Sequence, residues 1–351
     1  MKIAIVGSLY GAISENSLAG TEIWTYNFVQ KLVERGHEVT LFARKESKTS
    51  AKLYPVCAEE DLINKATGQC TKRKVHMFDI KEIIDVMNRQ DDFDVIHFST
   101  SSYYLGLPFT NGLIKKPVVI TAHTFGDFDY SDMSRIFEQH KNPYYIFPTE
   151  YFLKKWPKPS RYQVISHGID LNHFEYKEIK KDNYYWIGSI CPEKGLKDAI
   201  MMSKKAQVKL LFSGPISDEK YFKNEIEPEL SNDIKYLGEA DLKDKIKHYG
   251  DAKAVLFTSG IEETFGLVVT EAMACGTPVL AYDIGPMSEI IIPGYNGYLA
   301  DRGDIDGLVK AIYNINEIKP VNCRKTIEEK FNDDGMINQY LKLYNSLQKN
   351  A

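Results

Sequence analysis

The sequence predicts an α/β protein of two successive Rossmann-like, doubly wound parallel-sheet domains. Three observations carry this reading. The chain opens strand-helix-strand, a second run of strands alternating with helices follows, and a lysine-rich polar stretch at residues 176–182 separates the two runs. A length of 351 residues suits about two domains. A hydrophobic share of 43% is enough to fill two separate cores.

Residues 2–6 (KIAIV) are an unbroken apolar run, as expected of a strand covered on both faces. Residues 7–19 are small and polar and read as a loop. Gly20-Thr21-Glu22 opens a helix in which Ile23, Tyr26, Phe28, Val29, Leu32 and Val33 keep helical spacing, and Gly36 supplies a left-handed cap. The second strand is expected at residues 39–43. Residues 45–75 read as polar and irregular, with a basic cluster at Lys72-Arg73-Lys74, before a helix over residues 80–88. Further strands are expected at 95–98, 118–122, 144–148 and 163–166.

The second run predicts strands at 185–188, 209–213, 234–237, 254–257 and 278–281, with a short one near Tyr298. Helices lie between them, among them 241–250 and 304–315. A last helix, about 334–348, has Met336, Ile337, Tyr340, Leu341 and Tyr344 at helical spacing. There is no internal repeat and no low-complexity segment.

Composition narrows the function classes. A net charge of −4 sets up no strong field favouring nucleic acid. The first half carries a slight basic excess and the second an acidic one, which permits a first-domain face touching acidic lipid headgroups. The five cysteines, Cys57, Cys70, Cys191, Cys275 and Cys323, are scattered and form no C-x-x-C pair, which fits a reducing cytoplasm better than a disulfide or metal framework. The opening lacks the longer apolar core of a signal peptide, and no run of about 18 apolar residues is present to span a membrane.

The most informative stretch is residues 259–280, SGIEETFGLVVTEAMACGTPVL. A buried strand runs into a loop holding Glu262 and Glu263. Gly266 then opens a helix, Gly276-Thr277-Pro278 stops it, and the next strand begins. Free backbone N–H groups and aligned peptide dipoles at such a helix start favour an anion such as a phosphate. Glu263 stands just before the helix and Glu271 a little over one turn inside it. Both carboxylates can therefore face one ligand lying across the helix start, with a sugar at one end, a ribose at the other and a diphosphate between.

This stretch resembles the Glu-x7-Glu signature of retaining family 4 glycosyltransferases of the GT-B fold (glycosyl transferases group 1). The pieces E-x-FG-L-V-V-x-EAMACG-TPV stand here as Glu263, residues 265–269, residues 271–276 and residues 277–279. The resemblance covers nearly the whole chain and is strongest over 254–300. It implies two Rossmann-like domains facing across a cleft. Residues 1–172 would form the acceptor side, 173–330 the nucleotide-sugar donor domain, and 331–351 a helix crossing back to the first domain. His167-Gly168-Ile169-Asp170, followed by Phe174, resembles the family's last segment before the linker.

Residue by residue, the resemblance implies a site. Gly20 would let the backbone approach the donor phosphate; the usual glycine pair is Ala19-Gly20 here. His123 would hydrogen-bond a hydroxyl of the transferred sugar. Lys194, in IGSICPEKGL, matches the lysine of a G-R-x-x-x-x-K-G loop and would stabilise charge on the departing nucleoside diphosphate. The family arginine is Ser189 in this chain, which removes one of two expected cations. Glu263 would sit near the sugar hydroxyls, with backbone groups of Thr264, Phe265 and Gly266 beside it. Leu267 and Val268 would offer N–H groups to the phosphates, Glu271 would accept from the ribose hydroxyls, and Gly214 would line the nucleotide side. The catalytic set is thus His123, Lys194 and Glu263.

No metal or cofactor is expected. The triplets Asp92-Phe93-Asp94 and Asp127-Phe128-Asp129 lack the single-domain context in which such a triplet holds a metal, although Asp127 is a candidate for the acceptor cleft. Residues 7–11 (GSLYG) are not G-x-G-x-x-G, which argues against a nicotinamide enzyme. His97 is read as support for the cleft and not as a donor contact. The expected reaction is retaining transfer from a nucleotide-diphosphate sugar, UDP-sugar first and GDP-sugar next, to a saccharide or lipid-linked acceptor. Ser189 leaves a non-catalytic nucleotide-sugar binding protein as an alternative, and a sugar-nucleotide epimerase or a phosphorylase is another.

Overall fold

The computed structural model describes residues 1–17, 19–64, 70–124, 126 and 128–349; Asp127 lies outside them. The chain divides into two compact units, Met1–Ser166 with Met336–Ala351, and His167–Gly335. The expected divisions stood at 172/173 and 330/331, and the polar run at 176–182 lies inside the second unit.

The first unit is built on seven strands: β1 (Lys2–Val6), β2 (Glu38–Arg44), β3 (Lys52–Cys57), β4 (Val95–Phe98), β5 (Val118–Thr121), β6 (Tyr144–Phe147) and β7 (Tyr162–Val164). They pair in parallel in the order β3-β2-β1-β4-β5-β6-β7. Side chains alternate across the sheet. Ile3 and Ile5 join a core with Trp24, Phe28, Tyr340 and Tyr344, while Ala4 and Val6 join one with Val75, Ile83 and Phe137. Helix Gly20–Glu34 turns Trp24, Thr25, Phe28, Val29 and Leu32 inward, so its buried face is rotated from the expected Ile23 and Tyr26. Helix Asp333–Gln348 buries Met336, Ile337, Tyr340 and Tyr344 in the first unit's core. Tyr344 O–H meets His97 Nδ1 at 2.6 Å, and His97 Nε2 meets Thr121 Oγ1 at 2.8 Å. His97 is thus a wholly buried anchor for the last helix.

Residues 45–75 correct the sequence reading. They contain β3, a short helix Glu59–Leu62 and the start of helix Lys72–Asn88. β3 is an edge strand with Lys52 and Pro55 exposed, so it shows no apolar run; proline is tolerated at an edge because no ladder donor is needed there. Helix Lys72–Asn88 begins eight residues before the expected start. Its inward face is Val75, Asp79, Glu82, Ile83 and Val86, and two carboxylates at core positions hide the apolar period.

The second unit has six strands: β8 (Tyr184–Ile187), β9 (Leu210–Ser213), β10 (Ile234–Tyr236), β11 (Ala254–Phe257), β12 (Val279–Tyr282) and β13 (Gly297–Ala300). All neighbours are parallel, in the order β10-β9-β8-β11-β12-β13. Helices Leu196–Ala206 and Ile305–Asn314 pack together, while helix Leu267–Ala274 packs against Leu242–Asp251 and Pro320–Lys330. The chain runs outward from β8 through β9 to β10, then returns to β11 on β8's other side. Such a switch point leaves a crevice outside the strands' carboxyl ends, where open α/β sheets bind ligands.

Burial pushes the Asp79 carboxyl up to about 6, against the opposing pull of Ser102 and His76. Burial and the neighbouring Asp79 also raise Glu82. The Asp79 contribution to stability is therefore fully present below its ordinary pKa of 3.8 and is lost as pH rises through about 6. Asp79→Asn should stabilise the protein at pH 7.5 by up to about 3 kcal/mol, at roughly 1.4 kcal/mol per pKa unit. The gain should vanish near pH 4. Urea unfolding of both proteins at the two pH values checks this, and an equal gain at both would remove the carboxylate as its cause.

Candidate active site

Two loops meet at the second unit's switch point. The loop after β8 passes through the tight turn Pro192–Lys194 to Gly195, at φ +73°. A Cβ on Gly195 would lie 1.9 Å from the Thr258 carbonyl oxygen, so only glycine lets this loop lie against the end of β11. Thr258 Oγ1 donates to the Gly195 carbonyl at 2.8 Å, and Gly260 N–H donates to the Glu193 carbonyl at 2.8 Å. These contacts lock the loops on both sides of Lys194. Its Nζ then forms a hydrogen-bonded ion pair with Glu263 Oε1, the two side chains being 27% and 29% exposed.

The loop after β11 is fixed from its other side. Gly285, at φ +66°, lies against Glu263, with its Cβ position 3.1 Å from the Glu263 carbonyl oxygen. The Phe265 ring is buried between His167, at 5.0 Å, and Phe331, at 5.7 Å, so Phe265 can offer a ligand only its backbone. Gly266, at φ +106°, caps helix Leu267–Ala274. Its carbonyl accepts from the N–H groups of Val269 and Thr270. Gly266, Leu267 and Val268 thereby present the first N–H groups of the helix start.

Inside that helix, Glu271 is 8% exposed, and its Oε2 accepts from the Tyr249 hydroxyl at 2.9 Å. Gly214, at φ +141°, backs onto the Gly188 carbonyl at a distance of 1.9 Å from its Cβ position. That approach explains the glycine at the end of β9, next to Ser189. Ser189 is half-buried. The structure thus brings Ser189, Lys194, Gly214, Glu263 to Val268 and Glu271 to one edge of one sheet.

Gly20 and His123 belong to the first unit, where they are linked to each other. His123 Nε2 meets Ser99 Oγ at 3.1 Å, Ser99 Oγ meets Thr25 Oγ1 at 2.6 Å, and Thr25 Oγ1 donates to the Thr21 carbonyl at 2.7 Å, one residue after Gly20. The Trp24 ring lies 4.8 Å from the imidazole. Burial lowers the His123 pKa to about 3, so the ring is neutral near pH 7. Ser8 Oγ donates to the buried Glu22 at 2.6 Å, beside Gly11.

Sequence reasoning missed Tyr249, Thr258, Gly285 and Ser99. The Gly285-Pro286 dipeptide is a visible turn signal. Tyr249 carried none, being one tyrosine in a helix. Among the described residues, no group of three or more His, Cys, Asp or Glu side chains could hold a metal ion, and no helix is long and apolar enough to cross a membrane.

Comparison with known proteins gives the family and supports the fold. Residues 169–330 match Glycosyl transferases group 1, and residues 18–173 match Glycosyltransferase Family 4. The chain belongs to the family 4 glycosyltransferases of the GT-B fold. It is similar to an uncharacterized glycosyltransferase of Methanocaldococcus jannaschii, 28% identical over 47% of this chain and 46% of that protein, about half the length of each. It is 21% identical to the O-antigen chain mannosyltransferase C of Escherichia coli over 97% of both chains. Among solved structures, sucrose-phosphate synthase from Thermosynechococcus elongatus superposes over 100% of both chains, with a TM-score of 0.81 and 20% identity. The Anabaena protein HepE, in complex with UDP and glucose, superposes over 99% of this chain and 100% of its own, with a TM-score of 0.75 and 16% identity.

In this glycosyltransferase, Gly195→Ala must push the Lys194 loop off β11. We expect a loss of about 2–3 kcal/mol of stability together with weaker nucleoside diphosphate binding. Gly294→Ala is the control, since Gly294 also has a positive φ, +75°, but open space at its Cβ position. Denaturant titration and calorimetry on both variants check this; equal effects would show that φ alone matters and the contact does not.

Proposed function

We propose that this glycosyltransferase is retaining and metal-independent, and that it uses a nucleotide-diphosphate sugar, UDP-sugar first and GDP-sugar next. The acceptor is a saccharide or lipid-linked saccharide, in polysaccharide or glycoconjugate biosynthesis. One observation carries the reading: Lys194 and Glu263 are joined where two locked loops meet, beside the N–H groups that open helix Leu267–Ala274. That is a cation, an oriented dipole and a carboxylate, the set needed for a diphosphate with a sugar attached.

On this reading the second unit holds the donor and the first takes the acceptor. Glu271 grips the ribose. Lys194 and the N–H groups of Leu267 and Val268 hold the phosphates, with Gly214 and Ser189 on the nucleotide side and Gly20 admitting the backbone to the phosphate. Glu263 and the backbone of Thr264, Phe265 and Gly266 contact the sugar. The bond from the anomeric carbon to phosphate oxygen breaks, and the acceptor oxygen attaches on the same face. Its proton passes to the leaving phosphate, so no carboxylate nucleophile is required. The protein's part is positioning and charge stabilisation. His123, kept neutral by burial, hydrogen-bonds a sugar hydroxyl without adding charge. The UDP preference is supported by the HepE complex, which contains UDP and glucose. A peripheral membrane contact of the first unit is supported by exposed Met77, Ile80 and Ile84 beside Lys72, Arg73 and Lys81 on one helix.

The tests begin with a thermal-shift screen of nucleoside diphosphates and their sugars. A bound ligand at a hundredfold its Kd adds about 2.7 kcal/mol. With the donor found, Lys194→Ala and Glu263→Ala should each slow transfer by about a hundredfold or more; wild-type rates in both would refute the site. An NMR spectrum of the product should show the donor's anomeric configuration, and chelator should leave the rate unchanged. Tight nucleotide binding without turnover on any donor would favour a non-catalytic binding protein.

A further inference from the structure

Lys180 lies in the polar run that reads as solvated linker, yet its ammonium is inside the second unit. Its Nζ donates to the Gly250 carbonyl at 3.1 Å, the Cys275 carbonyl at 2.9 Å and Thr277 Oγ1 at 2.7 Å. An ammonium has three donors, and all three are used. The two carbonyls stand at the carboxyl ends of helices Leu242–Asp251 and Leu267–Ala274, where the partial negative charge of a helix collects. Lys180 therefore ties these two helix ends together.

The chain of contacts continues toward the candidate site. Thr277 Oγ1 donates to the Tyr249 carbonyl at 2.6 Å, and the fully buried Tyr249 hydroxyl donates to Glu271 Oε2 at 2.9 Å. Helix Leu267–Ala274 is thus held at its far end by Lys180 and in its middle by Tyr249. A phenol has one proton to give, and giving it to Oε2 restrains the orientation of the Glu271 carboxylate. Burial and the adjacent Glu271 raise the Tyr249 pKa well above its ordinary value, so the hydroxyl remains a donor at any working pH.

We propose that Tyr249, itself held by Lys180 through Thr277, is a positioning residue that aims the Glu271 carboxylate at the ribose hydroxyls and so sets the preference for a ribonucleotide. The inference rests on the reading of Glu271 as the ribose contact. A carboxylate accepts two vicinal hydroxyls well only when its plane is set in advance, because each oxygen must meet one hydroxyl. Nothing else among the described hydrogen bonds holds that carboxylate.

The experiment measures binding of UDP, GDP and their 2′-deoxy forms by calorimetry to wild type, Glu271→Ala, Tyr249→Phe and Lys180→Met. Folding is checked by circular dichroism and melting. We expect wild type to prefer the ribo form and Glu271→Ala to lose that preference. In Tyr249→Phe the ribonucleotide should weaken by about tenfold while the deoxy form changes little, as for loss of one hydrogen bond to a charged group. Lys180→Met should move the ratio the same way by a smaller factor. A merely structural role would weaken both nucleotides alike and leave the ratio intact. A folded Tyr249→Phe with the wild-type ratio, beside a collapsed ratio in Glu271→Ala, overturns the inference alone. An unchanged ratio in Glu271→Ala, or no nucleotide binding by wild type, overturns the reading of Glu271 beneath it.

Discussion

The candidate site depends on one backbone contact, the close approach of Gly195 to the end of β11. With a Cβ position 1.9 Å from the Thr258 carbonyl oxygen, no other residue fits there without displacing one of the two loops. That contact decides where Lys194 points. The ion pair it forms with Glu263 is partly exposed, and pairs of that kind contribute about 0–1 kcal/mol. The pair is therefore held in place by the backbone beneath it and does not itself hold the fold. A weak pair on rigid supports can part when an anion arrives, and its members keep their positions.

The same economy recurs at both sheets. In each, the crevice beside the first strand is lined by a loop and a helix start, as the topology of open parallel sheets dictates. The second unit places charge there, through Lys194, Glu263 and Glu271. The first places a neutral imidazole, its protonated form disfavoured by burial, with Ser99 and Thr25 leading back to the helix that Gly20 opens. A neutral imidazole at one sheet and a cation at the other are different uses of the same topology.

Much of the fold was legible because parallel strands covered on both faces are nearly all apolar, as Lys2–Val6 and Ala254–Phe257 are. Legibility failed where that logic stops applying. β3 is an edge strand with Lys52 and Pro55 exposed, and helix Lys72–Asn88 buries Asp79 and Glu82 where leucine or valine would announce a period. The site was legible where chemistry needs a local pattern, as in the glycine-opened helix with two carboxylates around it. It was not legible where a role depends on which strand lies opposite. Gly285 matters because it backs onto Glu263, and Tyr249 because its hydroxyl reaches Glu271; neither contact is local in sequence.

Lys180 shows why composition misleads at such places. Of the lysines in the run at 176–182, Lys177 and Lys181 pair with Asp251 at 3.1 and 2.7 Å, and Lys180 turns inward. Burial lowers its pKa to about 8, so keeping it charged near neutral pH costs free energy. Helix carbonyls offset part of that cost, because the carboxyl ends of two helices present partial negative charge to one ammonium. The same dipoles run forward to the amino ends, where helix Leu267–Ala274 opens toward the candidate phosphate position. With serine at 189, Glu263 balancing Lys194 and the Glu271 carboxylate in the same helix, the side chains there carry no net positive charge. The attraction for an anion then falls to the helix dipole and its free N–H groups, and to the readiness of Lys194 to exchange one partner for another.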